Sequence, residues 1–436
     1  RLKHTKMKKS LYTLLLFCLG LLVQAQQTPA ANQTASILIQ GATLHIGDGS
    51  IIENGMIGIA NGKITEIGVN GSQQNSYEST LNANGQHVYP GFIAANSTVG
   101  MVEIDAIRPT NDLNEIGTFL PNIRTIIAYN AESKVVESLR PNGILTAQIV
   151  PTRGRIAGSS TIVQLDAWNW EDAGIKVDEG MHIYWPRTYR RGNRAKGEDP
   201  LVYDQKNYTK RTSELDQYLA EAKTYDANAN KKHLPHAALK GTFNGTQKVY
   251  LHAKEKRQIL DGISLLKQHG IDNIVLVGGD DAYLITSFLK EHDIPVIVSR
   301  PHRLPGTEDE DVKLPFKMAK ILLDAGLTIT IDVSGRMERM NTRNLPFYAG
   351  SFAAYGVDKE KAVEMITLSA AKILGVDDQL GSLTVGKDAT LFIAKGDALD
   401  MRTNQLSHAF IQGRALSLET HQTKLWKRYM EKFSRQ

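Results

Sequence analysis

His252 ends the apolar run Val249-Tyr250-Leu251-His252-Ala253, and its imidazole is the side chain best suited to proton transfer near neutral pH. A lone histidine at the end of a strand also serves as a hydrogen-bonded structural residue, and both roles stand at this point. A second stretch, Tyr89-Pro90-Gly91-Phe92-Ile93-Ala94-Ala95-Asn96-Ser97-Thr98, is an apolar run after a Pro-Gly turn, ending in small polar groups. It suits a buried strand that delivers Asn96 and Thr98 to a rim. Asn96 can offer its carbonyl to a hard cation, but an Asn/Thr pair is a poor zinc site. A third, Gly326 to Ser334, ends in Asp332-Val333-Ser334, whose two polar side chains point the same way on a regular strand. A bulge there would bring the carboxylate of Asp332 to the rim. Asp280-Asp281 precedes a helical pattern and reads as an N-cap, and His302 as a loop residue. Trp168, Trp170 and Trp185 offer faces for a sugar or a peptide, but suit the filling of a small satellite core better.

These side chains need a scaffold, and the chain alternates strand and helix between residues 144 and 374. Strands are expected at Ile144–Val150, Val249–His252, Asn273–Val277, Ile294–Val298 and Leu327–Val333. Helices are expected at Glu255–Gln268, Asp281–Glu291, Leu314–Ala325, Pro346–Tyr355 and Lys359–Leu374, with Gly270 and Gly326 as stops. Repeated βα units with short links mean a parallel sheet. The expected fold is α/β: a (β/α)8 TIM-type barrel over residues 89–382. An open doubly wound sheet is the other architecture this alternation allows. Residues 165–247 exceed a short link and are expected as an insertion over the mouth. Residues 36–88 are all-β, with a hairpin at Asn61-Gly62, and are too few to bury a sheet alone. Residues 383–417 are again strands and turns, so both ends of the chain are expected to form one small composite β-sandwich domain. A C-terminal helix follows over 418–436.

The first 25 residues read as a secretory signal peptide: Met7-Lys8-Lys9-Ser10, the apolar run Leu11–Val23, and small residues up to Ala25. That run is shorter than the roughly 20 residues a membrane span needs. Residues 26–35 read as a flexible leader. The expected address is therefore exported, periplasmic or extracellular, with no membrane attachment after cleavage. The net charge of +5 belongs to this segment, which holds Arg1, Lys3, Lys6, Lys8 and Lys9 and no acid, so the remainder is neutral. Nothing then argues for a nucleic acid partner. Cys18 is the single cysteine, so the chain after Ala25 has neither a disulfide nor thiol chemistry.

Several motifs resemble the amidohydrolase superfamily, closest to its imidazolonepropionase-like and dipeptidase-like members. They are Pro90-Gly91-Phe92-Ile93, Arg343-Asn344-Leu345-Pro346, Thr367-Leu368-Ser369-Ala370-Ala371-Lys372-Ile373-Leu374-Gly375, and Gly381-Ser382-Leu383 through Gly386-Lys387-Asp388-Ala389. The resemblance implies a metal-bearing barrel mouth that hydrolyses carbon–nitrogen bonds. It also locates the ligand positions, and most are substituted. Asn96 and Thr98 stand for two histidines on the first strand, Gln164 for a fourth-strand lysine, Gly278 for a sixth-strand histidine and Ser334 for an eighth-strand aspartate. His252 alone survives.

The resemblance therefore implies an exported amidohydrolase-family protein with a degenerate metal centre and weak or no hydrolase activity. Two alternatives stay beside it: an active hydrolase with an atypical site around His252, and a carbohydrate- or peptide-binding module. The expected ligand pocket is Asn96, Thr98, Gln164, Gly278, Asp332 and Ser334, with His252 as the catalytic candidate and no metal ligand assigned. No cofactor is expected, and zinc only if His252 and its neighbours rescue a site. The expected partner is a small molecule, with a homo-oligomer or a pairing with an active relative as further options.

Overall fold

The computed structural model describes residues 29–225, 232–305, 310–335 and 338–435. The segment read as a signal peptide, and Gln26–Thr28 of the leader, lie outside these. Five strands open the chain: β1 (Ile37–His45), β2 (Ile51–Ala60), β3 (Lys63–Val69), β4 (Ser79–Asn82) and β5 (His87–Pro90). Asn61 and Gly62 take φ of 51° and 77°, the left-handed pair that a two-residue hairpin between β2 and β3 requires.

The barrel strands follow: β6 (Phe92–Ser97), β7 (Ile144–Ile149), β8 (Ile156–Gln164) and β9 (Gly174–Tyr184). A small hairpin, β10 (Tyr189–Arg191) with β11 (Leu201–Tyr203), precedes β12 (Lys248–Ala253), β13 (Ile274–Gly278), β14 (Val296–Val298) and β15 (Ile329–Ile331). The eight barrel strands pair in chain order, and a parallel bridge from Ala95 to Asp332 brings the last beside the first. Helices cover the outside. The Lys256–Gln268 helix starts in a capping box between Glu255 and Gln258 and buries Ile259, Ile263 and Leu266.

The architecture is the expected barrel with an added β domain, and three local features differ from expectation. First, β8 runs antiparallel to both neighbours. Pro151 ends β7, and Arg153 and Gly154 (φ 66° and 76°) reverse the chain within a few residues, leaving no room for a crossover helix. Second, residues 165–247 are not wholly an insertion, because they contain β9, the fourth barrel strand. Third, the helix expected over Lys359–Leu374 is two helices, Lys359–Met365 and Leu368–Leu374. The break falls where the carbonyl of Ile366 accepts the N–H of Ile93, so a barrel strand claims a group the helix would have used.

β16 (Leu391–Ala394), β17 (Leu406–Ile411) and β18 (Arg414–Ala415) return to the first domain. Hydrogen bonding joins them to β5, β1, β2 and β3 in one sheet from both chain ends, with β4 branching from β1. Its own core holds Ile39, Leu44, Ile57, Ile59, Val88, Leu391, Ile393 and Phe410. The sheet meets the barrel through Tyr89, Phe92 and Phe392, whose rings pack at 4.9–6.0 Å. Buried Asp166 ties the same junction, accepting from Arg140 at 2.8 Å and Arg414 at 2.9 Å.

Candidate functional site at the barrel mouth

β6 ends in Asn96, which is buried and left-handed (φ 50°). Its backbone N–H donates to Gln148 Oε1 on β7 at 2.9 Å, and its Nδ2 donates to Asp332 Oδ1 at 2.9 Å. Asn96 Oδ1 and Thr98 Oγ1 are buried without a partner among the described residues. Asp332 follows β15 directly, and the backbone N–H of Ser334 donates to its Oδ1 at 2.7 Å. Ser334 therefore serves Asp332, through both its backbone and its side chain, and Asp332 is the residue facing the first strand. Burial pushes the Asp332 carboxyl above the usual range, against the hydrogen bonds from Ser334 and Asn96 and the charge of Lys254.

His252 lies next to the last residue of β12, beside Tyr184 of β9, and the two rings stack 3.9 Å apart. Its Nε2 lies 2.8 Å from Nδ1 of His182, so one ring donates to the other. His182 is fully buried, stacks on Tyr250 at 4.7 Å, and has no partner for its own Nε2 among the described residues. Burial pulls His252 down to about 3 and His182 well below the ordinary histidine value, so both rings are neutral. Beneath them Glu179 is also buried, its carboxylate accepting from Ser160 Oγ at 2.6 Å, Gln148 Nε2 at 2.7 Å and Tyr250 OH at 2.9 Å.

Asn96, Thr98, His252, Gly278, Asp332 and Ser334 all fall at the mouth end of their strands. Gln164 does not. Because β8 runs the opposite way, Gln164 pairs with Thr146 near the start of β7 and accepts from Arg414 at 2.5 Å, at the far end of the barrel. The tryptophans do not gather either. Trp168 and Trp170 are exposed near that far end, while Trp185 is buried and donates to Tyr208 OH at 3.0 Å. Asp281 caps the neighbouring helix by accepting from the Lys256 N–H at 2.8 Å, rather than capping its own. His302 meets Ser351 Oγ at 3.1 Å in its loop.

His182, Glu179 and Gln148 were not singled out from sequence. The available signal was the 174–184 stretch, Gly-Ile-Lys-Val-Asp-Glu-Gly-Met-His-Ile-Tyr, which reads as a strand once its polar residues are allowed to face a barrel interior.

The amidohydrolase family profile matches residues 236–420. An amidohydrolase structure from Thermotoga maritima superposes with a TM-score of 0.77 at 21% identity, over 87% of this chain and 99% of that one. Residues 236–420 thus resemble the amidohydrolase family in sequence, and the chain as a whole shares the fold of the Thermotoga maritima structure. A Xaa-Pro dipeptidase with bound methionine is more distant (TM-score 0.55, 14% identity, 88% of this chain and 100% of that one). So is an adenosine deaminase from Xanthomonas campestris with bound zinc (TM-score 0.51, 13% identity, 92% and 98%). At these identities the likeness is one of fold. Among curated proteins, an ATP-dependent 6-phosphofructokinase from Streptococcus mutans is 40% identical over 72 residues, 16% of this chain and 20% of that protein. One from Streptococcus pneumoniae is 45% identical over 53 residues, 12% and 14%. The chain thus spans about a fifth or less of the length of these curated relatives, too little to carry an activity.

Amidohydrolases usually depend on a metal, and the donors here do not fit one. Among the described residues no three His, Cys, Asp or Glu side chains gather as a group that could hold an ion. The two mouth histidines face each other through their ring nitrogens, and Asp332 faces an amide.

Proposed function

We propose that this is an amidohydrolase-fold protein whose barrel mouth takes a small polar ligand, with weak or no metal-dependent hydrolysis of carbon–nitrogen bonds. One observation carries the reading: the polar side chains at the mouth are engaged with each other, His182 with His252 and Asn96 with Asp332. With Nδ2 committed to Asp332, Asn96 presents Oδ1, an acceptor for an N–H of an amide or amine ligand. Turnover of N-acyl amino acids and dipeptides, with and without added zinc, tests this. We expect no zinc-stimulated turnover; zinc-stimulated turnover abolished in His252→Ala would overturn the reading.

A metal-independent hydrolase is the second reading, and the electrostatics move its base from His252 to Asp332. A histidine pulled down to about 3 is a weak base at neutral pH, whereas a carboxyl pushed upward is a stronger one than usual. In that case Asp332→Asn would abolish turnover and His252→Gln would leave most of it; the reverse order would refute the assignment.

Export is the corresponding proposal for location, supported by the pattern of Met7–Ala25. Among the described residues no helix is long and apolar enough to cross a membrane. N-terminal sequencing of protein from the envelope or medium is expected to begin at Gln26, and a retained Met7 would contradict it.

A further inference from the structure

We propose that Glu179 is a positioning residue for the mouth, acting on Asn96 and Asp332 through Gln148. The inference rests on the reading of the mouth as the ligand site. Glu179 lies inside the barrel, away from solvent, and touches neither Asn96 nor Asp332 through any hydrogen bond in the structure. Its carboxylate nevertheless organises three strands. Glu179 Oε1 accepts from Ser160 on β8 and Gln148 on β7, and Oε2 accepts from Tyr250 on β12.

Gln148 is the link. Its Nε2 donates to Glu179, which leaves its Oε1 facing the backbone N–H of Asn96 at 2.9 Å. Were the amide turned over, its oxygen would face the carboxylate and its NH2 would face another N–H, so Glu179 fixes which way Gln148 points. That choice matters because Asn96 sits at φ 50°, a left-handed conformation that Asn tolerates better than most residues but that still depends on hydrogen bonds from its surroundings. The contact from Gln148 supplies it. Asn96 in this conformation turns Nδ2 to Asp332 and leaves Oδ1 buried and unpartnered, ready for a ligand.

Glu179 also suits this role for what surrounds it. Burial raises its carboxyl, while Ser160, Gln148, Tyr250 and the charge of Lys248 act the other way. A buried carboxylate with three donors is costly to break and strict about geometry. A Cβ at Gly180 would overlap the Tyr250 ring, so the residue next to Glu179 is kept bare to let Tyr250 reach it.

The test uses the whole protein without ligand or metal, by NMR with 15N-asparagine and 13C-aspartate labelling. The Asn96 side-chain amide is assigned through Asn96→Asp and the Asp332 carboxyl through Asp332→Asn. In Glu179→Ala we expect the Asn96 amide signal to move to an ordinary solvent-exposed position and the Asp332 titration to shift by at least half a pH unit. Glu179→Gln, which keeps acceptors for Ser160 and Gln148, should restore both. If Glu179→Ala does not fold, Gln148→Leu cuts the same link while leaving Ser160 and Tyr250 on Glu179, and should give the same signature. Unchanged Asn96 and Asp332 signals in a folded Glu179→Ala or Gln148→Leu protein would overturn the proposal. Equal disturbance in Glu179→Gln and Glu179→Ala would as well. Zinc-dependent turnover, by contrast, would sink the functional reading and leave this result standing.

Discussion

At the residue scale, the mouth is defined by two side-chain pairs, His182 with His252 and Asn96 with Asp332, beside the unpartnered oxygens of Asn96 and Thr98. Burial keeps His182 and His252 neutral, and that has a sign that can be measured. A histidine held below its ordinary value binds fewer protons in the folded than in the unfolded chain. Its contribution to stability is complete above pH 6.5 and is lost as pH falls below that, at about 1.4 kcal/mol per pH unit for each such group. For His252 the window runs from there down to about pH 3. The raised carboxyls of Glu179 and Asp332 act in the opposite sense, contributing more as pH falls toward 4. Histidine ring NMR, with His252→Gln for assignment, is expected to show no titration of His252 above pH 5. A midpoint near 6.5 would mean the ring is solvated and the pairing with His182 absent. Sequence made Asn96, Asp332 and His252 visible because each ends an apolar run. It hid Glu179 and His182 because polar residues along a strand look like surface when the interior they face is unknown.

At the scale of elements, chain order was readable and strand direction was not. The helices over 256–268, 314–324 and 345–354 follow from apolar spacing and glycine stops, which are local. The reversal of β8 depends on the Arg153-Gly154 turn, and it moved Gln164 to the far end of the barrel. A left-handed pair in a Pro-Thr-Arg-Gly stretch is a hairpin signal, but the βα rhythm around it argued for another crossover. The split at Ile366 was also hidden, because its cause is a hydrogen bond from residue 93. One element-scale consequence concerns β9. Gly180 lies against the Tyr250 ring, so Gly180→Ala should force that ring to shift and cost about 1–3 kcal/mol. Thermal unfolding checks this; an unchanged midpoint would show that the barrel interior has slack there.

At the scale of the molecule, two bodies share one chain. The sheet from both ends closes over the far end of the barrel, joined by Tyr89, Phe92 and Phe392 and by the buried Asp166 between Arg140 and Arg414. That arrangement keeps the mouth free, and the stretch from Tyr89 to Thr98 links the two bodies. Its first half builds the junction, and its second half carries Asn96 and Thr98 to the mouth. The central claim is that the donors at this mouth serve each other and not an ion. Zinc stoichiometry tests it most directly, by elemental analysis of the protein and of His252→Ala after incubation with zinc and dialysis. We expect well under one equivalent in both. One equivalent or more in the natural protein, lost in His252→Ala, would contradict the account.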